Sequence, residues 1–175
     1  MGGIFSHCFP HCEIPHWFCH QSYGHSVRIP LPPPYLSDNS DLMGFAICAV
    51  FSFHKHPTAV RMNLDSTLPH GFMCRLETNL GCVRPLLSHS IRQDEVLISI
   101  YQRLFLWVLF IPRRGAFAQP ITWANFSFLS DSPDVSVLRC GASLVDRQNM
   151  DEFNRTIVQL ITSGVASLNA IRSSC

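Results

Sequence analysis

The residues with the most chemistry in this chain crowd together near its start. His7, Cys8, His11, Cys12, His16, Cys19, His20 and His25 intersperse thiols with imidazoles, and thiolate with imidazole is the donor set of tetrahedral zinc. A structural zinc site draws its ligands as two separated pairs around a turn, a pattern this run does not show. The favoured reading is surface and half-buried histidines among packed thiols, with zinc as the alternative. A Cys/His pair could also serve as nucleophile and base. With eight cysteines and nine histidines such neighbours arise by chance, and no motif of an activated cysteine accompanies them. Gly-x-Ser-x-Gly and His-Glu-x-x-His are absent. Asp131 and Asp134 stand in a Ser-Asp-Ser-Pro-Asp segment and read as turn formers, not as a glycosidase pair. The sequence nominates no catalytic residue, no metal set and no cofactor site.

Composition narrows the field further. The chain has 175 residues, 47% of them hydrophobic, enough for one domain that buries about 70% of its unfolded surface without disulfide staples. Its formal net charge is +1 and its basic residues are scattered, Arg113-Arg114 being adjacent and Lys55 the lone lysine, which argues against nucleic acid as a partner. Leu104 to Ile111 is wholly apolar but far too short to cross a hydrocarbon core of ~30 Å as a helix, so no membrane span is expected. Met1-Gly2 with Ser6 fits an N-myristoylation pattern formally, yet the residues just after it read as a packed strand. No secretory pattern opens the chain, so a cytoplasmic location is expected, with the nucleus also open to it, and the thiols should be reduced and mostly buried.

The elements that must position these residues are mostly strands. Val27, Ile29 and Leu31 alternate with Arg28 and Pro30, as in a strand with one wet face, and the prolines that follow confine it to an edge. Gly44 to Phe53 is apolar on both faces and belongs in the middle of a sheet. Phe72 to Glu77, Val96 to Tyr101, Leu104 to Ile111, Trp123 to Leu129 and Val135 to Val145 supply further strands between Gly, Pro, Asp and Ser punctuation. Only the end changes period. Phe153, Ile157, Leu160, Ile161, Gly164, Leu168 and Ile171 fall at helical spacing behind Asp151 and Glu152, which predicts an amphipathic helix from Asp151 to about Ile171. The fold class is mainly β: an antiparallel β-sandwich over residues 4–148, followed by a helical tail over 149–175.

A set of motifs carries a resemblance. Cys8-Phe9-Pro10, Glu13-Ile14-Pro15 with Trp17-Phe18, His20-Gln21-Ser22 and Gly44-Phe45-Ala46 are followed by Leu106 to Arg113, by Trp123 to Phe128, by Val137 to Val145, and by Glu152-Phe153-Asn154-Arg155-Thr156. In that order the chain resembles the C-terminal jelly-roll/Ig-like domain, or C-JID, that follows the leucine-rich repeats of plant TIR-type NLR disease-resistance receptors. Members commonly carry Ser, Gly or Glu where this chain has His11, Cys12 and His16, which weakens the zinc reading. An Asp-His pair usual in the family is replaced by Gln102-Arg103-Leu104-Phe105. Neither a phosphate loop nor a leucine-repeat period occurs, so the NAD-cleaving chemistry of the TIR module is not expected.

The resemblance implies a non-catalytic module whose strands are scaffold and whose loops read a protein partner, a pathogen effector or the leucine-rich-repeat region of a receptor. The candidate loops are Pro33 to Asp41, His54 to Leu68 and Pro112 to Thr122. Within them Tyr35, Asp38, Asn39, Lys55, His56, Arg113 and Arg114 are the candidate contact residues. The alternative from another class is a lectin-like sandwich with Tyr35, Trp17 and Trp123 as a sugar platform.

Overall fold

The computed structural model describes residues 4–31, 41–54, 71–81, 83–90, 104–113, 121–133 and 135–173. In chain order the elements among the described residues are β1 (Phe5–Phe9), β2 (His20–Tyr23), β3 (Ser26–Pro30), β4 (Leu42–Phe53), β5 (Gly71–Thr78), β6 (Val83–Ser90), β7 (Leu104–Pro112), β8 (Trp123–Ser130), β9 (Val135–Asp146) and a helix, α1 (Met150–Ser173). The strands form a five-stranded sheet in the order β1-β7-β4-β9-β2 and a four-stranded sheet in the order β3-β8-β5-β6. Every pairing is antiparallel.

The two apolar runs singled out in the sequence lie at the heart of the first sheet, and the architecture explains why both their faces are greasy. On β4, Phe45, Ile47, Ala49 and Phe51 point into the core between the sheets, while Ala46, Cys48 and Val50 point the other way into a second core. On β7, Phe105, Trp107, Leu109 and Ile111 join the first core, and Leu106 and Val108 join the second. That second core is closed by the segment after β1 and by Phe153, Ile157 and Leu160 of α1. The molecule thus has three layers, and a strand in its middle layer must be apolar on both sides. The outer sheet has one buried face only. On β5, Phe72, Cys74 and Leu76 go inward while Arg75 and Glu77 go outward, the period-two pattern expected of it.

Aromatic rings fill the inter-sheet core. Phe51 lies 4.1 Å from Phe72 and stacks on Phe105 at 5.2 Å, and Trp107 meets Phe128 edge-on at 6.0 Å. Trp107 is fully buried, and its indole N–H donates to Ser6 Oγ at 2.9 Å, so the ring is packed without a stranded donor.

Three differences from the sequence reading stand out. The polar His20–Tyr23 and the proline-bearing Val83–Ser90 pair as strands without hydrophobic alternation to announce them. On α1 the buried stripe is Phe153, Ile157, Leu160 and Gly164, whereas Ile161, expected to share it, is 47% exposed. One residue advances a helix by about 100°, so Ile161 falls beside a stripe centred on Leu160. The strand expected at Val96 to Tyr101 lies outside the described residues, as do Tyr35, Asp38, Asn39, Lys55, His56 and Arg114.

Candidate recognition surfaces

The motif-bearing N-terminal segment is clamped onto the middle sheet. Ile14 and Phe18 lie directly over Gly141, where an added Cβ would stand 3.0 Å from Ile14 Cγ2 and 3.3 Å from Phe18 Cβ. Only glycine lets the segment approach that closely. The Phe18 N–H donates to the Pro15 carbonyl at 3.1 Å and closes a turn in which Trp17 stacks on Phe18 at 4.2 Å. The buried Ser143 hydroxyl accepts from the Cys19 N–H at 2.7 Å and donates to the Trp17 carbonyl at 3.1 Å. Arg139 donates to the Cys12 carbonyl at 2.8 Å. Trp17 then ties the turn to the helix: its indole N–H donates to Thr156 Oγ1 at 2.9 Å, and its ring meets Phe153 edge-on.

This packing disperses the Cys/His run. Cys8 enters the inter-sheet core, while Cys12 and Cys19 are exposed. His7 lies against the Phe9 ring, and His16 stands at the surface 3.8 Å from Glu152. Among the described residues no group of His, Cys, Asp or Glu is gathered in a way that could hold a metal. Cys48, Cys74 and Cys140 are buried. Loss of solvation pushes the Cys140 thiol up to about 12 and raises Cys48 and Cys74 well above the ordinary thiol range, with neighbouring Cys140 adding to both. Thiols held protonated in this way are packing groups, because the thiolate is the nucleophile.

The loops proposed as readers are anchored at two opposite ends of the sandwich. At one end Leu31, just past β3, donates its N–H to the Thr122 carbonyl at 2.7 Å, and the Thr122 N–H donates to Asn79 Oδ1 at 2.8 Å. The segments that follow β3 and precede β8 are therefore anchored side by side. Arg113 follows Pro112, which pairs with Gly44 at the start of β4, so it belongs to this end too. Asp41 lies here as well, 3.8 Å from Arg147. The stretch after β4 leaves from the other end, where Phe53 pairs with Val135 and Gly71 exchanges hydrogen bonds with Asp131, the residue read from sequence as a turn former. Anchors for the candidates at 35, 38, 39, 113 and 114 share one end, and those for Lys55 and His56 lie at the far one.

The sugar platform does not assemble. Trp17 sits on the outer side of the middle sheet against α1, whereas Trp123, at the start of β8, sits on the outer face of the other sheet beneath the Arg28 guanidinium, 4.1 Å from its ring centre. Two rings on opposite outer faces cannot grip one saccharide, so Trp17 and Trp123 do not share a platform, and Tyr35 lies outside the described residues. Sequence reasoning missed the Arg28–Trp123 pair. Its signal was present, since Arg28 and Trp123 occupy the wet positions of alternating strands, but the pairing of β3 with β8 could not be read from spacing.

Fold and surfaces together define an antiparallel β-sandwich backed by a helix, in which the thiols and imidazoles among the described residues are dispersed or buried. The family model for the C-JID domain matches residues 9–160, and the chain belongs to that family. Among curated proteins of Arabidopsis thaliana, it is similar to disease resistance protein RPS4, with 45% identity over 49 residues that cover 28% of this chain and 4% of that protein. Disease resistance-like protein DSC1 is 43% identical over 54 residues, covering 31% of this chain and 4% of the relative. Disease resistance protein LAZ5 is 32% identical over 103 residues, covering 55% and 8%. The chain thus spans only a small part of the length of the relatives it matches.

Proposed function

We propose that this chain is a recognition module of plant immunity that binds a protein partner, a pathogen effector or the leucine-rich-repeat region of a receptor, through the end of the sandwich that anchors the segments after β3 and before β8. The observation that carries this reading is the hydrogen bond from Leu31 to Thr122, which places the roots of two loop segments together on a rigid frame in a C-JID domain. Binding, not chemistry, is its mode of action: the buried thiols are held protonated, and the sequence offers no nucleotide cradle. A cytoplasmic or nuclear location is part of the proposal, motivated by the free cysteines among the described residues, as suits a reducing compartment. Among the described residues no helix is long and apolar enough to cross a membrane.

The test replaces Pro33 to Asp41 and Arg113 to Pro120 by Gly/Ser segments, separately, keeping Pro112 in β7 and the buried Ile121 in the core, and measures binding to a panel of effectors and to a leucine-rich-repeat fragment beside a melting curve. Binding should fall while the melting temperature moves by a few degrees at most. Variants that bind like the parent would remove the loop end from the reading. NAD turnover by the parent above a heat-killed control would overturn the non-enzymatic part.

A further inference from the structure

The two outer faces of the sandwich are treated differently. The middle sheet is covered by the N-terminal segment and α1, while no described element packs over the outward side chains of β3, β8 and β5. That open face carries Arg28, Trp123, Asn125, Ser127, Arg75 and Glu77, set in register by Arg28 opposite Asn125 and by Asn125 opposite Glu77.

Its electrostatics are unbalanced. Arg28 and Arg75 are both exposed, and the one carboxylate among these side chains, Glu77, two residues from Arg75 on β5, accepts from the Asn125 amide at 3.4 Å instead of closing an ion pair with either. The Arg28 guanidinium carbon lies 4.1 Å from the Trp123 ring centre, a cation–π contact that restrains a side chain still exposed to solvent. A guanidinium can grip a carboxylate with two parallel hydrogen bonds, and one already restrained has less side-chain entropy to lose. Arg75 lies two strands over and two residues along, so its Cα is about 12 Å from that of Arg28 by strand spacing and rise. Acidic side chains roughly three or four positions apart in an extended peptide match that separation. Tryptophan and arginine are also among the residue types most enriched where binding energy concentrates in protein interfaces.

We propose that the outer face of the second sheet docks an acidic peptide segment of a partner protein, with Arg28, held on Trp123, and Arg75 as its two carboxylate receivers. This surface adjoins the loop end at Trp123, and the two readings fail separately: replacing the loops tests one, and changing the arginines tests the other. The experiment is fluorescence anisotropy with a fluorescein-labelled oligoglutamate peptide titrated with the full chain at low and at raised salt. The parent should bind, more weakly as salt rises. Arg28→Gln and Arg75→Gln should each weaken binding roughly tenfold with melting temperatures unchanged, and Arg28→Lys should recover only part of the loss because it keeps the charge without the fork. Arg155→Gln, an exposed charge on the helix side, should bind like the parent. No binding by the parent, or an equal loss in Arg155→Gln, would overturn the proposal. So would tighter Arg28-dependent binding of a single-stranded oligonucleotide, which would assign the face to phosphate.

Discussion

At the scale of single residues, two glycines show what the family motifs enforce. In Gly44-Phe45-Ala46 an added Cβ at Gly44 would run into the Ile111 backbone carbonyl and stand 2.9 Å from Phe110 Cζ, so β4 and β7 can pair only around a bare Cα. At Gly141 the obstacles are side chains, Ile14, Cys48 and Phe18, which can shift. Gly141→Ala should therefore cost about 1–3 kcal/mol, the usual range for overpacking, and Gly44→Ala more, because a backbone carbonyl cannot step aside without breaking its ladder. Urea midpoints compare the two, and a Gly44→Ala chain as stable as the parent would contradict the close approach. The buried thiols supply a pH dependence. Burial raises Cys140 from the ordinary thiol range to about 12, so the folded state prefers the neutral thiol. Stability from this source is complete below about 9 and falls as pH climbs toward 12, because the unfolded chain releases the proton first. Melting temperatures should decline over that window. Peptide mapping after alkylation at neutral pH should find Cys12 and Cys19 labelled quickly, and Cys48, Cys74 and Cys140 only after unfolding.

At the scale of elements, the turn holding Trp17 and the helix are one device. Pro10 lies against Gly164, where an added Cβ would find Pro10 Cδ at 3.4 Å, ordinary contact. Gly164→Ala should stabilise the chain by about 0.5–1 kcal/mol, through helix propensity and reduced freedom of the unfolded chain. Thr156→Val keeps the shape but removes the acceptor of the Trp17 indole, and should cost about 1 kcal/mol. Chemical denaturation of both variants checks the pair, and a Gly164→Ala chain weaker than the parent would show that the helix cannot accept even a methyl at Pro10. These elements also mark how far the sequence could be read. β4 and β7 were legible because double-sided burial writes continuous apolar runs, and β5 and β8 because single-sided burial writes alternation. β2 was not, since its strand character comes from pairing with β9, and its side chains alternate only between half-buried and exposed. The strands that flank the loop candidates were legible. The loops' division between two ends was not, because it depends on which strands pair.

At the scale of the whole molecule, the helix is part of the core rather than a tail. The reading from sequence drew a boundary at residue 148 and expected the helix to pack against the sandwich or fray; Phe153, Ile157 and Leu160 close the outer core formed by Ala46, Cys48, Val50, Leu106 and Val108. Burying three such side chains contributes about 1.5–3 kcal/mol each as an upper estimate, comparable in sum with the 5–15 kcal/mol net stability of an ordinary domain. Ending the chain after residue 148 should thus leave the apolar outer face of the middle sheet in water and strand the Trp17 indole without its Thr156 acceptor. We expect the truncated chain to bind a hydrophobic dye, to aggregate on concentration and to lose its cooperative melting transition, whereas the parent melts in one step. Supplying the segment from residue 149 onward as a separate peptide should restore part of the transition, because the same apolar stripe can dock in trans. A truncated chain that melts cooperatively at the parent's temperature would show that the inter-sheet core alone sustains the fold.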